Sequence, residues 1–184
     1  VLRGIESAAR QAGFDLLIHT VEVEYPLKTS RRALGMHNTD GLIVFTNSVD
    51  NEELAYLEQS GFPIVLLHQT PPNQLNIPVI TIENKDGAQK LVIHLIEVHD
   101  CSRIAFLRGP QGQEDSEWRE RGYRESIAAH NIPFDESLIA RGGFDEAEAT
   151  VAINQLLKNG VYFDAVFAGD DLSALGTLTT LQST

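Results

Sequence analysis

The chain has 184 residues, 42% of them hydrophobic and 22% charged, with 14 Gly, 7 Pro and one Cys. That is ordinary globular composition and excludes disordered, collagen-like and low-complexity readings. The formal charge is -12, and both parts are acidic: residues 1–85 hold 6 Lys and Arg against 10 Asp and Glu, residues 86–184 hold 8 against 16. With no basic stripe to displace phosphate counterions, neither part is a nucleic-acid surface.

The chain opens in a helix. Val1, Leu2, Ile5, Ala8, Ala9 and Ala12 form an apolar stripe and Gly13 stops it. Short β-rich apolar runs follow at 14–18, 41–45, 63–67, 79–82, 104–107, 138–140 and 165–168. Several are nearly continuous, which fits strands covered by helices on both faces. Residues 21–38 show no clear helical pattern. Residues 68–78 form a Pro/Asn/Gln-rich loop, and Asn84-Lys85-Asp86-Gly87 then opens a helix over 86–99 with Ala88, Leu91, Val92, Leu95 and Ile96 at helical spacing. Asp145 with Glu148 is a helix start signal, Asn159-Gly160 a stop, and 171–181 reads as a last helix.

The strand–helix alternation predicts an α/β fold of doubly wound parallel sheets. Two lobes are expected, 1–85 and 86–184, with a crossover near the midpoint. No strand precedes the first helix and no stop signal follows the last, so both lobes are expected to be incomplete. The first strand would be missing from the N-terminal lobe, and the chain would be a piece of a larger protein. Cys101 alone allows no internal disulfide and no thiolate metal cage. No apolar run approaches the roughly 20 residues of a spanning helix. No charged-then-apolar leader opens the chain, so a cytoplasmic location is expected.

Open parallel sheets bind ligands at the carboxyl ends of their strands. Arg119, near the start of the helix after strand 104–107, is placed there, and its planar fork suits carboxylates, phosphates or vicinal hydroxyls. It could equally be a surface Arg paired with Glu117 or Glu120. Asp170 and Asp171 follow strand 165–168, where they could accept from hydroxyls, hold Mg²⁺ or simply cap a helix. Phe144 follows Gly142-Gly143 and could stack on a sugar or base, or pack an edge. His68, after strand 63–67, is a candidate ligand contact, although a loop His usually does nothing specific. His94, His99 and Cys101 lack zinc-site spacing, so no metal or other cofactor is expected. Gly109-Pro110-Gln111-Gly112-Gln113 lacks the Gly-Lys-Ser/Thr ending of a P-loop, and no Gly-x-Ser-x-Gly elbow or supported catalytic set occurs. An enzyme is not expected.

The order of motifs resembles the effector-binding core of LacI/GalR regulators, which share the type I periplasmic-binding-protein fold. Leu2-Arg3-Gly4-Ile5-Glu6 with Gly13-Phe14 is similar to that family's first helix and second strand. Thr39-Asp40-Gly41-Leu42-Ile43, Pro63-Ile64-Val65-Leu66-Leu67 and Arg103-Ile104-Ala105-Phe106-Leu107 resemble its strands. Arg119 with Gly122-Tyr123 resembles its Arg-x-x-Gly-aromatic signature. Phe163-Asp164-Ala165-Val166-Phe167-Ala168 with Asp171, Ala174 and Gly176 resembles its last matched strand and helix.

The resemblance implies a sensor for a small polar metabolite, most simply a sugar, held in an interlobe cleft by Arg119, Asp170, Asp171, Phe144 and His68. It implies a homodimer, associating through the first lobe, whose DNA contact lies in an N-terminal domain absent from this sequence. Asp170 stands where the family usually has Asn. Other outputs of such a sensor are a kinase or cyclase domain, or an exported sugar-binding protein.

Overall fold

The computed structural model describes residues 1–20 and 34–183. The expectation for 21–38 lies mostly outside them. Helix α1 (Leu2–Gln11) forms as its stripe predicts, and Gly13 takes the left-handed turn after it, with φ +79°. No residue of α1 is buried. The strand expected at 14–18 is not formed: this segment has no regular structure, and Phe14, Leu17 and Ile18 are exposed. The physical reason is that a strand is stabilised by a ladder partner, and this one has none among the described residues.

The first sheet is parallel, in the order β1 (Leu42–Phe45), β2 (Ile64–Leu67), β3 (Val79–Ile80). Helix α2 (Asn51–Gln59) starts where the Asp50 carboxylate accepts from Glu53 N, and it covers one face. Val44, Ile64 and Leu66 alternate toward it and pack with Leu54, Leu57 and Ile77. Ile43 and Phe45, on the opposite side of β1, are exposed.

The second sheet is also parallel, in the order β5 (Ile139–Arg141), β4 (Ile104–Arg108), β6 (Ala165–Ala168). Its central strand explains the continuous apolar run. Ile104 and Phe106 face α3 (Asn84–His99) and α4 (Glu114–Ala129), joining Ala88, Val92, Tyr123, Ile127 and Phe167. Ala105 and Leu107 face α5 (Glu146–Lys158), joining Leu138, Ala149, Ile153 and Leu156. These four β4 residues are at most 1% exposed. Helix α6 (Asp171–Gln182) packs beside α5.

Strand β5 lies one residue later than expected, because 136–138 close a single 3-10 turn in which Asp135 caps Ser137 N. The Asp145 start signal holds: its carboxylate accepts from Glu148 N at 2.9 Å. Gly160, just past the C-cap Asn159, has φ +69°.

The helix pair α3–α4 decides where the site residues sit. Gly122 lies against α3 so closely that a Cβ there would stand 2.6 Å from Lys85 O and 2.9 Å from Ala88 Cβ. That approach brings Asn84, the first residue of α3, beside the first turn of α4. No helix among the described residues is long and apolar enough to cross a membrane.

Candidate functional site

Loops that leave the carboxyl ends of the two sheets touch. Asn47, after β1, donates from Nδ2 to Gly112 O at 3.0 Å. Thr70, after β2, donates from its backbone N and its Oγ1 to the Glu114 carboxylate, both at 2.6 Å. Trp118 Nε1 reaches the same carboxylate at 3.1 Å. Burial pushes the Glu114 carboxyl up, but the hydrogen bonds from Thr70 and Trp118 outweigh it and hold the group below its ordinary pKa.

Arg119 lies in this cleft with its side chain 19% exposed. Its Nε donates to Asn84 Oδ1 at 2.8 Å and its Nη1 to Gly169 O. Its Nη2 is 3.8 Å from Asp115 Oδ2, one helical turn back. Asn84, 6% exposed, completes the triangle by donating from Nδ2 to Asp115 Oδ1 at 2.7 Å. The guanidinium carbon is 5.4 Å from the centre of the Phe144 ring.

Phe144 has φ +59°, a conformation unusual for a bulky residue. Its ring lies over backbone: a Cβ on Gly109 would run into it, and one on Gly169 would come within 3.0 Å of Cε1. Two glycines after β4 and β6 therefore make the floor on which the ring rests. His68 also has φ +59°. Its Nδ1 is 3.0 Å from Asp115 Oδ2, an ion-pair distance, yet that nitrogen has no aligned hydrogen bond. Its ring stacks on Phe45 at 6.2 Å between centroids.

The structure thus brings together Arg119, Phe144 and His68 around Asp115. Asp170 adjoins them through Gly169, but its carboxylate is used as the N-cap of α6, accepting from Ser173 N at 2.9 Å. Asp171, the first residue of α6, is exposed. Sequence reasoning missed Asp115, Asn84, Glu114 and Thr70. The available signal for Asp115 was its i, i+4 spacing to Arg119. Glu114 and Thr70 are 44 residues apart and gave no local signal. His94 Nε2 and His99 Nε2 stand 3.2 Å apart on an exposed surface, and no group of three or more His, Cys, Asp or Glu able to hold a metal occurs among the described residues.

Chemically, the cleft offers a planar donor fork, carboxylate and amide acceptors and one aromatic face. That combination has the donors, acceptors and apolar face that vicinal hydroxyls on a ring can use.

Known proteins give this geometry a family. The chain is 27% identical over 186 residues to the HTH-type transcriptional regulator CelR of Thermobifida fusca, covering 100% of this chain and 54% of that protein. It is 28% identical over 177 residues to the ribose operon repressor of Halalkalibacterium halodurans, covering 96% and 51%. The chain therefore spans about half the length of the curated relatives it matches. A CelR–cellobiose complex superposes with a TM-score of 0.69 at 29% identity over 80% of this chain and 45% of that one. A LacI-type regulator from Bacillus cereus subsp. cytotoxis superposes with a TM-score of 0.82 over 99% of this chain and 64% of its own, and at 23% identity this bears on the fold alone. The model for periplasmic binding proteins and the sugar-binding domain of the LacI family matches residues 1–184, and the chain belongs to that family.

Proposed function

We propose that this chain is the ligand-sensing part of a LacI-like transcriptional regulator and that a small polar metabolite, a sugar, binds where the two sheets' carboxyl ends meet. The observation that carries this reading is Arg119, held by Asn84 and Gly169 O and flanked by the Phe144 ring in a partly desolvated cleft. The cellobiose complex of a similar regulator supports the sugar class. Ligand contacts on both sides favour a closed arrangement, and closure transmits to an attached DNA-binding domain through a hinge motion. The protein acts in the cytoplasm as a homodimer, as a sensor and not a catalyst.

The test is calorimetric titration after a thermal-shift screen of sugars. Hydrogen bonds to charged groups contribute roughly 1.5–3 kcal/mol, so Arg119→Ala lowers sugar affinity about 10- to 150-fold. Arg119→Lys restores little, because a point charge lacks the fork. Arg121 is the internal control: it is exposed, paired with Glu125 at 2.9 Å and stacked on Trp118. Loss of binding in Arg121→Ala but not in Arg119→Ala would move the site elsewhere.

A further inference from the structure

Charge at the strand ends is arranged in one way across the second sheet. Arg108, at the end of β4, is 3.4 Å from Glu120. Arg141, at the end of β5, is 3.2 Å from Glu148. Arg119 has Asp115 at 3.8 Å, and Lys85 in the first turn of α3 has Glu125 at 2.7 Å. His68, in the same cleft, also sits against Asp115.

Helix N-termini follow the same arrangement. Their free N–H groups and positive dipole ends ordinarily attract anions. Here α4 opens on Glu114, Asp115 and Glu117, α6 is capped by Asp170 and followed by Asp171, and α3 carries Asp86 in its first turn. Each of these positive ends is answered by a carboxylate of this chain.

We infer that the cleft selects an uncharged polyhydroxylated ligand over an anionic one, and that Asp115 is the specificity-determining residue, because it neutralises Arg119 where ligand is held. The inference rests on the reading of this cleft as the ligand site. A phosphate or carboxylate brought to Arg119 would lie within several Å of the Asp115 carboxylate, 3.8 Å from Nη2 of the same guanidinium, and be repelled by it. A hydroxyl pair has both donors and acceptors. It can accept from the Arg119 fork and donate to Asp115 without any unpaired charge. The Phe144 ring offers the apolar surface that the C–H face of a sugar ring requires.

The decisive probe is inorganic phosphate, whose charge does not depend on which sugar is the natural ligand. It is titrated into the 184-residue chain as wild type, Asp115→Asn and Asp115→Ser, reading the Arg119 Nε–H resonance by NMR. In Asp115→Asn the new amide oxygen still accepts from Asn84 Nδ2 but carries no charge, and the serine variant covers the case in which the amide rearranges. Removing one unit charge within several Å of the anion raises phosphate affinity at least about tenfold in both variants. Equal phosphate affinity in wild type and both folded variants would overturn the inference.

Matched pairs extend the test: glucose with glucose 6-phosphate, ribose with ribose 5-phosphate, galactose with galacturonate. In wild type the neutral member binds more tightly in any pair that binds. A tighter anionic member would sink the charge argument while leaving the ligand site standing. If no sugar of either kind binds, the site reading falls, and the phosphate titration still decides the role of Asp115.

Discussion

Glu114 ties the loops of the two sheets through Thr70, and it is open to a direct perturbation. Three donors converge on its carboxylate: Thr70 N, Thr70 Oγ1 and Trp118 Nε1. A hydrogen bond to a charged group is worth about 1.5–3 kcal/mol when buried. These contacts are exposed, so solvent screening reduces each below about 1 kcal/mol. Only the two Thr70 bonds join the two sheets' loops, since Trp118 lies on the same helix as Glu114. Glu114→Ala therefore removes about 1 kcal/mol from the arrangement in which these loops touch, which lowers its population ratio about 5-fold. The assay is built in. Trp118 is the only tryptophan, and its Nε1 bond to Glu114 lies within α4, so its emission reports loss of the Glu114 carboxylate while scattering reports separation of the loops. Ligand-free Glu114→Ala is expected to show red-shifted emission and a larger radius of gyration in X-ray scattering. Acidification reproduces the effect in wild type. The Glu114 pKa lies below its ordinary value in this arrangement, so the stabilisation is complete above the ordinary carboxylate pKa and is lost as pH falls through the lowered one. Glu114→Ala should show no such step. An identical radius of gyration in wild type and Glu114→Ala at neutral pH would refute the reasoning, whatever the emission does.

Three further outcomes are expected. Gly122→Ala forces a methyl into Lys85 O and Ala88, costs about 1–3 kcal/mol as overpacking, and weakens sugar binding by displacing Asn84; unchanged melting temperature and affinity would contradict this. The Tyr123 hydroxyl donates to Ile104 O at 2.9 Å, and burial pushes its pKa up to about 12, so an alkaline absorbance titration shows one late tyrosine that disappears in Tyr123→Phe. The isolated chain, with charge -12, should give no salt-sensitive, sequence-selective gel shift.

The second sheet was legible in the sequence because its signals are local. The run 104–107 is buried on both faces and therefore reads as continuous, Asp145 and Glu148 cap within one turn, and Gly160 marks its own left-handed turn. Residues 14–18 show the limit of such reading. Their composition is that of a strand, but a strand is completed by its neighbour, and this one has none among the described residues. In the site, Arg119 was legible from its place after a strand. Its setting was not: Asn84 reaches it from 35 residues away and Gly169 O from 50. Asp170 illustrates a different limit, since one carboxylate type serves both ligand and cap, and only geometry shows that it accepts from Ser173 N.

The backbone adds an argument that no side-chain pattern carries. Asn47, His68 and Phe144 all have φ between 56° and 59°, and they follow β1, β2 and β5. Left-handed backbone at a non-glycine residue costs of order 1–3 kcal/mol and persists where surrounding structure over-determines it. At Asn47 it is held by Gln69, whose Oε1 accepts the Asn47 N–H at 2.6 Å. At His68 the Thr46 hydroxyl donates to its carbonyl at 2.8 Å, and its own N–H continues the ladder to Ile80 O at 3.0 Å. At Phe144 the two bare glycines leave room for the ring. Each turn swings its side chain out of the strand direction at the sheet's carboxyl end. Positive φ also occurs at Gln74, Asp100 and Asn131, away from these strand ends, so what sets Asn47, His68 and Phe144 apart is their shared place at the carboxyl ends of the two sheets. These three turns fit a cleft whose side chains are set in place before ligand arrives, which reduces the ordering cost of binding.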